Sequence, residues 1–319
     1  MTHELFIGMD EAGLGPNLGP LVITATRWKL CSQAADFDFY ARLADCIDRD
    51  STQQGTRLHI ADSKQVYSTS MGLASLETSA LALLSVGGIR PATLSELIAQ
   101  LGHRPDATSE IQHEHWADDV NLTLPFAADR GMCDAFAQQL QTSLAKSHIA
   151  LESICSDIVF PRRFNDLLRQ CDNKALVLSN STFGLLAAVW SPTEQTPGLI
   201  VGDKHGGRNR YDDLLASITG DEFVFRLEEG RQLSRYRVGP MELRFQVGGE
   251  EHLPVAVASI VSKYVRELTM EAFNRFWRRH VPEVRPTKGY PQDAKRFRAD
   301  TESVRRDLAI ADVDFWRER

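Results

Sequence analysis

Two adjacent carboxylates, Asp10 and Glu11, close the apolar run Leu5-Phe6-Ile7-Gly8-Met9, and a glycine-rich stretch, Ala12-Gly13-Leu14-Gly15-Pro16, follows at once. The run has strand character. Strand side chains alternate faces, so Asp10 and Glu11 point to opposite sides for as long as the strand stays regular. One carboxylate on the sheet face and one at the rim is a start for a divalent-metal site. Hard cations such as Mg²⁺ take several oxygen ligands and keep waters and substrate phosphates in the shell. The plain alternative is an N-terminal strand followed by a polar turn. A dinucleotide fingerprint is excluded: Gly13 and Gly15 fit Gly-x-Gly-x-x-Gly, but Leu18 holds the third position and the next glycine is Gly19. A P-loop is excluded too, because no Gly-Lys-Ser/Thr occurs.

The same arrangement recurs later in the chain. Gly198-Leu199-Ile200-Val201-Gly202-Asp203 is an apolar run ending in a carboxylate, and Lys204-His205-Gly206-Gly207-Arg208-Asn209-Arg210 behind it is basic and glycine-rich. Cations beside mobile backbone suit phosphate. Asp62-Ser63-Lys64 sets an acid, a hydroxyl and a cation together, although serine and aspartate there also suit the cap of a following helix. His113-Glu114-His115 has the residue types of a metal cluster, but no third ligand of matching type is near, which disfavours that role.

Elements that would carry these groups are legible from periodicity. Pro20 to Leu30 is β-branched and partly alternating, hence a second strand antiparallel to the first. Leu151 to Phe160, Gly198 to Asp203, Glu222 to Leu227, Tyr236 to Val238 and Met241 to Val247 read as further strands. Helical spacing predicts helices over Phe37 to Asp48, Ser70 to Leu84, Leu94 to Leu101, Met132 to Ala145, Arg162 to Gln170 and Ser181 to Trp190. An apolar-faced helix from His252 to Leu268 carries Lys263, Arg266 and Glu267 at its far end. Two more helices, Met270 to His280 and Gln292 to Leu308, flank Pro286-Thr287-Lys288-Gly289-Tyr290. Alternating strands and helices imply an α/β or α+β core with a mixed sheet. Gly87-Gly88 and Pro91 break the pattern, which marks 88–145 as an insertion or cap segment in a core made of 1–87 and 146–319.

Composition bounds the function classes. At 319 residues with 43% hydrophobic and 25% charged residues, the chain reads as a soluble globular protein. The longest apolar stretch, near Ala80 to Val86, is too short to span a bilayer, so no membrane role is expected. No basic-then-apolar N-terminal segment marks a secretory signal, and the five widely spaced cysteines lack a Cys-x-x-Cys, so reduced thiols in the cytoplasm are expected. Net charge is −7, yet Arg275 to Arg306 holds ten Lys/Arg against four acidic residues, a local +6 that leaves −13 elsewhere. A basic C-terminal arm over 270–319 on an acidic body fits one local phosphate-binding surface; a solvated arginine-rich helix accounts for it equally well.

Taken together, these stretches resemble the ribonuclease HII/HIII family of the RNase H-like superfamily. Asp10-Glu11-Ala12-Gly13-x-Gly15 with Gly19-Pro20 is similar to the family's opening Asp-Glu-Ala-Gly-Arg-Gly and following Gly-Pro. Asp62-Ser63-Lys64 resembles its Asp-Ser-Lys, and Asp203 sits where a third catalytic carboxylate ends a strand. Ala256 to Lys263 with Arg266-Glu267 resembles the helix Ala-Ala-Ser-Ile-x-Ala-Lys-x-x-Arg-Asp, and Lys288-Gly289-Tyr290 the late Lys-Gly-Tyr. Segment 88–145 lies outside the match.

The resemblance implies an RNase H-like fold in which Asp10, Glu11, Asp203 and Glu267 are catalytic and hold two divalent ions, Mg²⁺ or Mn²⁺. It implies hydrolysis of the RNA strand of RNA/DNA hybrids, or incision at ribonucleotides in duplex DNA, where the 2′-hydroxyl separates RNA from DNA. Gly13, Leu14, Gly15 and Tyr290 would read the ribonucleotide. Ser63 belongs to the substrate-side motif, and Lys64, Lys204, Arg208, Lys263 and Lys288 would serve phosphates. No protein partner is implied. Two positions depart from the pattern: Leu14 stands where the family has arginine or lysine, and Glu267 replaces the aspartate of ribonuclease HII. A glutamate there is the ribonuclease HIII pattern, yet the first motif begins at residue 10, which leaves no room for that type's N-terminal domain. Two other readings stand beside this one: a non-catalytic nucleic-acid-binding protein on the same fold, and an RNase H-like nuclease for another substrate such as branched DNA.

Overall fold

The computed structural model describes residues 3–50, 56–67, 72–117 and 121–318. In chain order the elements are β1 (Glu4–Ala12), β2 (Leu21–Leu30), α1 (Phe39–Arg42), β3 (Ile47–Asp48), β4 (Leu58–His59), α2 (Ser63–Val66), α3 (Ala74–Val86), α4 (Leu94–Leu101), α5 (Ala107–Gln112) and α6 (Arg130–Lys146). There follow β5 (Ile149–Val159), α7 (Pro161–Cys171), α8 (Lys174–Val189), β6 (Gly198–Asp203), α9 (Asp212–Thr219), β7 (Val224–Glu229), β8 (Leu233–Val238), β9 (Met241–Gln246), α10 (Leu253–His280), α11 (Pro291–Asp300), α12 (Glu302–Asp307) and α13 (Asp312–Phe315). Among the described residues the main sheet has seven strands in the order β5-β2-β1-β6-β9-β8-β7. β1 runs antiparallel to β2 and parallel to β6, and β6 runs parallel to β9, so the expected mixed α/β sheet is found.

Alternation along β1 sorts the core into two layers. Phe6 enters the cluster that contains α10, while Leu5, Ile7 and Met9 enter the cluster on the opposite face with Val177, Phe183 and Leu186 of α8. α10 lies directly on β1 at Gly8, where an added Cβ would stand 2.3 Å from the Pro254 carbonyl carbon. Thr26 Oγ1 on β2 donates to Pro254 O at 2.8 Å and fixes the helix along the sheet. That pairing brings Ser259 and Ser262 over the end of β1.

Several boundaries differ from the sequence expectations. Where two helices are expected on either side of Thr269, α10 is one helix of 28 residues. Thr269 stays inside it, with Oγ1 donating to Arg266 O at 2.8 Å. Burial on most sides explains its apolar composition. Phe37 to Asp48 is helical only over Phe39–Arg42; beyond it, Ile47 and Asp48 pair instead with Leu58 and His59. Tertiary pairing outweighs the helical spacing there. The helix expected near Ser70 to Leu84 is Ala74–Val86, with Ser70 outside the described residues.

Residues 88–145 share the α10-side core: Leu94, Leu97, Ile98, Leu101, Leu122, Leu124, Leu140 and Leu144 belong to one cluster with Phe6 and Val22. A single buried carboxylate ties this segment down. Glu77 on α3 accepts from the amides of Phe126 (2.7 Å), Ala127 (2.5 Å) and Ala128 (2.7 Å), and from Tyr264 OH of α10 at 2.7 Å.

The basic C-terminal region packs onto the α10-side core through Phe273, Trp277, Phe297 and Phe315. Phe273 and Trp277 are buried, and many of the arginines are matched by acids. Arg275 pairs with Glu271, Arg296 with Asp293 and Asp300, and both Arg298 and Arg305 with Asp312. Two of those acids, Glu271 and Asp312, fall outside the stretch from which the +6 was counted.

Candidate active site

Asp10, Glu11 and Asp203 converge because β1 and β6 are parallel neighbours whose polar ends coincide: Met9 pairs with Gly202, placing Asp10 beside Asp203. Asp10 faces α10. Ser262 Oγ donates to its main-chain oxygen at 3.2 Å, and the Ser259 hydroxyl bonds its carboxyl. Glu11 lies on the other side of the strand, in a narrow cleft with Met9, Asp10, Ile23, Thr182, Gly202, Asp203 and His205. The Gly249 amide lies 3.5 Å from Asp203 Oδ1.

The three acids repel one another. Burial, followed by the neighbouring Glu11 and more weakly Asp203, pushes the Asp10 carboxyl well above the usual range. Burial and the field of Asp203 raise Glu11 to about 7, against an opposing pull from Lys64. Lys64 has its side chain 87% exposed, with Nζ 3.8 Å from Asp62. Its proton is held more tightly by Asp62 first, then by Asp10, Glu250 and Asp203, against some desolvation. It therefore stands as an exposed cation, loosely paired with Asp62, in the field of the acidic group. His205, buried against Ser179 Oγ (3.0 Å), is driven down to about 3 by burial and Arg208, so it is a neutral wall of the cleft.

Glu267 stands apart from this trio. Lys263 Nζ reaches Oε1 at 2.7 Å; Lys288 Nζ (2.5 Å) and Tyr67 OH (2.9 Å) reach Oε2. Burial works to raise this carboxyl, but Lys263 and Lys288 outweigh it and hold it below the ordinary range. Tyr67 also lies under both ammonium groups, 5.0 Å from Lys263 and 5.5 Å from Lys288. Sequence reasoning missed Tyr67, and its position three residues beyond Lys64 was the available signal.

The glycine turn meets the Lys-Gly-Tyr loop directly. Asn17 N donates to Gly289 O at 2.8 Å, and a Cβ at Gly289 would stand 2.5 Å from Leu18 O. Gly289 has φ +80 and Gly13 φ +97, which glycine tolerates. Tyr290, 54% exposed, is thereby set beside the turn, while Gly15 is open and Leu14 packs partly against the second apolar cluster.

Several of the residues expected to serve substrate are engaged in contacts within the protein. Lys204 does not face a phosphate surface: it is buried, and Nζ donates to Gly230 O (2.6 Å), Ser234 Oγ (2.8 Å) and Arg208 O (3.2 Å), tying the β6 loop to the β7–β8 hairpin. Arg208 folds back over the Tyr211 ring, and its Nη1 reaches Arg210 O. Ser63 is buried at the start of α2 and accepts from Ser259 Oγ at 3.0 Å, which pins α2 to α10; Asp62 caps that helix through Lys64 N (3.1 Å). Lys263 and Lys288 are engaged with Glu267 in this state. The His113-Glu114-His115 stretch packs into the protein at two of its three positions. Glu114 accepts from Trp116 Nε1, and His115 is packed among Phe273, Phe276, Trp277 and Phe315.

As the side chains lie, no three His, Cys, Asp or Glu among the described residues are close enough to share an ion. The chemistry of the trio nevertheless fits a divalent cation, because enclosed carboxylates that raise one another's proton affinity are relieved by a positive ion. Glu267 would join such an ion only by giving up its lysines. A pH test follows from the sign at Glu11. A carboxyl raised from 4.5 to about 7 binds its proton more tightly folded than unfolded, so its contribution to stability falls as pH rises from about 4.5 to about 7. Thermal melts in EDTA are expected to decline across that window, and added Mg²⁺ to restore stability increasingly towards pH 7.5. A Mg²⁺ effect independent of pH would contradict this.

No protein-family profile matches the sequence, and no curated protein does. Among solved structures the chain is similar to ribonuclease H2 from Pyrococcus horikoshii OT3, with 13% identity and a TM-score of 0.44 over 98% of this chain and 92% of that one. It is similar to RNase HII of Archaeoglobus fulgidus, solved in complex with PCNA, at 13% identity and TM-score 0.43, covering 99% and 94% of the two chains. Bst-RNase HIII in complex with Mn²⁺ aligns at 15% identity and TM-score 0.41, over 98% of this chain and 66% of that one. Among the described residues no helix is long and apolar enough to cross a membrane.

Proposed function

We propose that this protein is a metal-dependent endonuclease of the RNase H type. In this reading it hydrolyses the RNA strand of RNA/DNA hybrids or incises at ribonucleotides in duplex DNA. The observation that carries it is the convergence of Asp10, Glu11 and Asp203 at adjoining strand ends, beside the exposed Lys64 and the glycine turn. A pure binding protein gains nothing from clustered anions next to a phosphate chain.

In this reading Asp10, Glu11, Asp203 and Glu267 hold two divalent ions, Mg²⁺ or Mn²⁺. When bound, such a pair supplies an activated water and neutralises charge on the leaving oxygen of an in-line displacement. The chain's own residues do the rest. Lys64 draws a backbone phosphate toward the acidic group, which would otherwise repel it. Lys288, 45% exposed and resting on Glu267, turns to a phosphate when one arrives, and its departure frees Glu267 Oε2. Gly13, Leu14 and Gly15 present backbone to the sugar, and Tyr290 offers a ring edge and hydroxyl beside it, where a 2′-hydroxyl is read.

The test is cleavage of end-labelled duplexes with Mg²⁺, Mn²⁺ or EDTA: all-DNA, RNA/DNA hybrid, DNA with one ribonucleotide, and a four-way junction. Cutting confined to ribose-containing duplexes and lost in EDTA is the expected result. Cutting of the junction alone moves the substrate to branched DNA. Tight binding without cutting under either metal selects the non-catalytic reading, which the pairing of Glu267 with two lysines favours.

A further inference from the structure

A cavity of about 350 Å³ lies between α5 and α7 and shares no residue with the acidic trio. Phe160 and Leu167 give it an apolar wall, and Arg104, Arg162 and Arg163 line it with positive charge. Those three cations are already taken. Arg104 gives Nε and Nη2 to Asp106 (2.9 and 2.5 Å), and Arg163 gives Nη1 and Nη2 to Asp157 (2.6 and 2.9 Å). Arg162 gives Nε and Nη2 to Asp314 (2.5 and 2.7 Å). Asp166, also in the lining, pairs with Arg169 at 2.9 Å.

Two lining carboxylates remain without a cation of their own. Glu110 lies 3.4 Å from Arg104 and 3.5 Å from Arg163, whose forks are turned to the aspartates, and its Oε2 has no hydrogen-bond partner. Glu114 is 5% exposed; its Oε2 accepts from Trp116 Nε1 at 2.9 Å, and no donor reaches Oε1 among the described residues. Three guanidinium groups thus meet five carboxylates (Asp106, Asp157, Asp314, Glu110 and Glu114), and 3 − 5 leaves two negative charges beside an open volume. A buried carboxylate without a cation is costly, so it keeps its proton until one arrives. Burial raises Glu114 to about 8 against the Trp116 hydrogen bond; Asp314 of α13 and Glu110 of α5 add to the rise, and Arg162 of α7 opposes it. His113 and Asp166 complete the titratable lining.

The kind of cation follows from the open oxygens. Among the described residues no three His, Cys, Asp or Glu are close enough to share a metal ion. A guanidinium fork is matched by both oxygens of one carboxylate, and Trp116 occupies one of Glu114's. An ammonium carries three donors on a single nitrogen and needs only one oxygen of it. The apolar wall suits a short hydrocarbon chain behind that nitrogen.

We infer that this cavity binds a primary alkylammonium ion, its nitrogen on Glu114 Oε1 in the field of Glu110 and its chain against Phe160 and Leu167. Binding is ion pairing without a covalent step: Glu114 gives its proton to solvent and the ammonium takes its place. The inference does not rest on the nuclease reading, since none of these residues serves it.

Calorimetric titration of the full chain with n-butylammonium chloride at fixed ionic strength, in two buffers of different ionisation enthalpy, tests it. One equivalent is expected to bind at pH 7 with release of a proton. Affinity is expected to be about twentyfold higher at pH 8.5 than at pH 6.5, the rise in deprotonated carboxyl for a midpoint of about 8. Butan-1-ol and butanoate should bind at least about tenfold more weakly, the loss of a charge-assisted contact. Glu114→Gln, which copies the protonated acid, is expected to lose about tenfold in butylammonium affinity and all of the proton release. Nα-acetyllysine amide as the probe separates sources: tighter binding than butylammonium assigns the site to a partner's lysine side chain, weaker binding to a free amine. Butanoate binding as tightly as butylammonium overturns the inference and makes the cavity an arginine site for anions. Undiminished binding in Glu114→Gln, or no binding to the parent, overturns it too. If Glu114→Gln does not fold, the parent decides, and binding without proton release overturns the role of Glu114.

Discussion

Asp10→Asn is expected to lower turnover of a cleavable duplex by at least about a thousandfold, which corresponds to roughly 4 kcal/mol of lost barrier stabilisation. Asparagine keeps the shape and the hydrogen bond toward Ser259 but removes the charge nearest the centre of the acidic group. A lost carboxylate ligand weakens the hold on a divalent ion, and with it the stabilisation of developing charge. Duplex binding should stay within about threefold of the parent, since Lys64, the glycine turn and Tyr290 are untouched. The same change carries a second, opposite signature. Asp10 is enclosed and repelled by Glu11 and Asp203, so in EDTA the variant should melt at a higher temperature than the parent. Cleavage at the parental rate would remove Asp10 from the chemistry, and a lower melting point would contradict the repulsion.

Glu77→Ala is expected to cost about 3–5 kcal/mol of stability, the range for stranding the partners of a buried charged group. Three amides, of Phe126, Ala127 and Ala128, and the Tyr264 hydroxyl all converge on this buried carboxylate and lose their common acceptor together. The loss also reaches the site. Tyr264 neighbours Lys263 on α10, so slack in that turn of helix loosens the lysine pair on Glu267. Urea unfolding is the measurement, with the midpoint falling at constant slope. A loss below about 1 kcal/mol would mean that the 126–128 loop finds other acceptors.

Much of the frame is legible in the sequence because it depends on short-range patterns. The apolar run Leu5 to Met9 predicts a strand, and the structure distributes Phe6 on one side and Leu5, Ile7 and Met9 on the other between two cores. The strand of Gly198–Asp203 has the bounds that its apolar run and terminal carboxylate imply. α4 likewise spans Leu94–Leu101, where helical spacing sits between breakers. In these elements backbone geometry and burial of adjacent residues decide the outcome, and both are encoded locally.

What only the tertiary structure decided is where the long charged side chains go. Lys204 and Lys64 each follow an aspartate closely in sequence, yet one is buried against Gly230 and Ser234 and the other is exposed beside Asp62. A lysine's ammonium ends several rotatable bonds from its backbone, so partners from distant segments select its direction. Glu267 has a helical position that the sequence reveals, but its engagement by Lys288 and Tyr67 joins residues 21 and 200 positions away. Arg317 is the extreme case, meeting Gly13 across 304 residues. The sequence alone thus determined most of the strands, the start of the helix that crosses them and the strand ends where acids stand. Folding decided which charges face the acids and which are spent holding the backbone, because that choice belongs to contacts no local pattern contains.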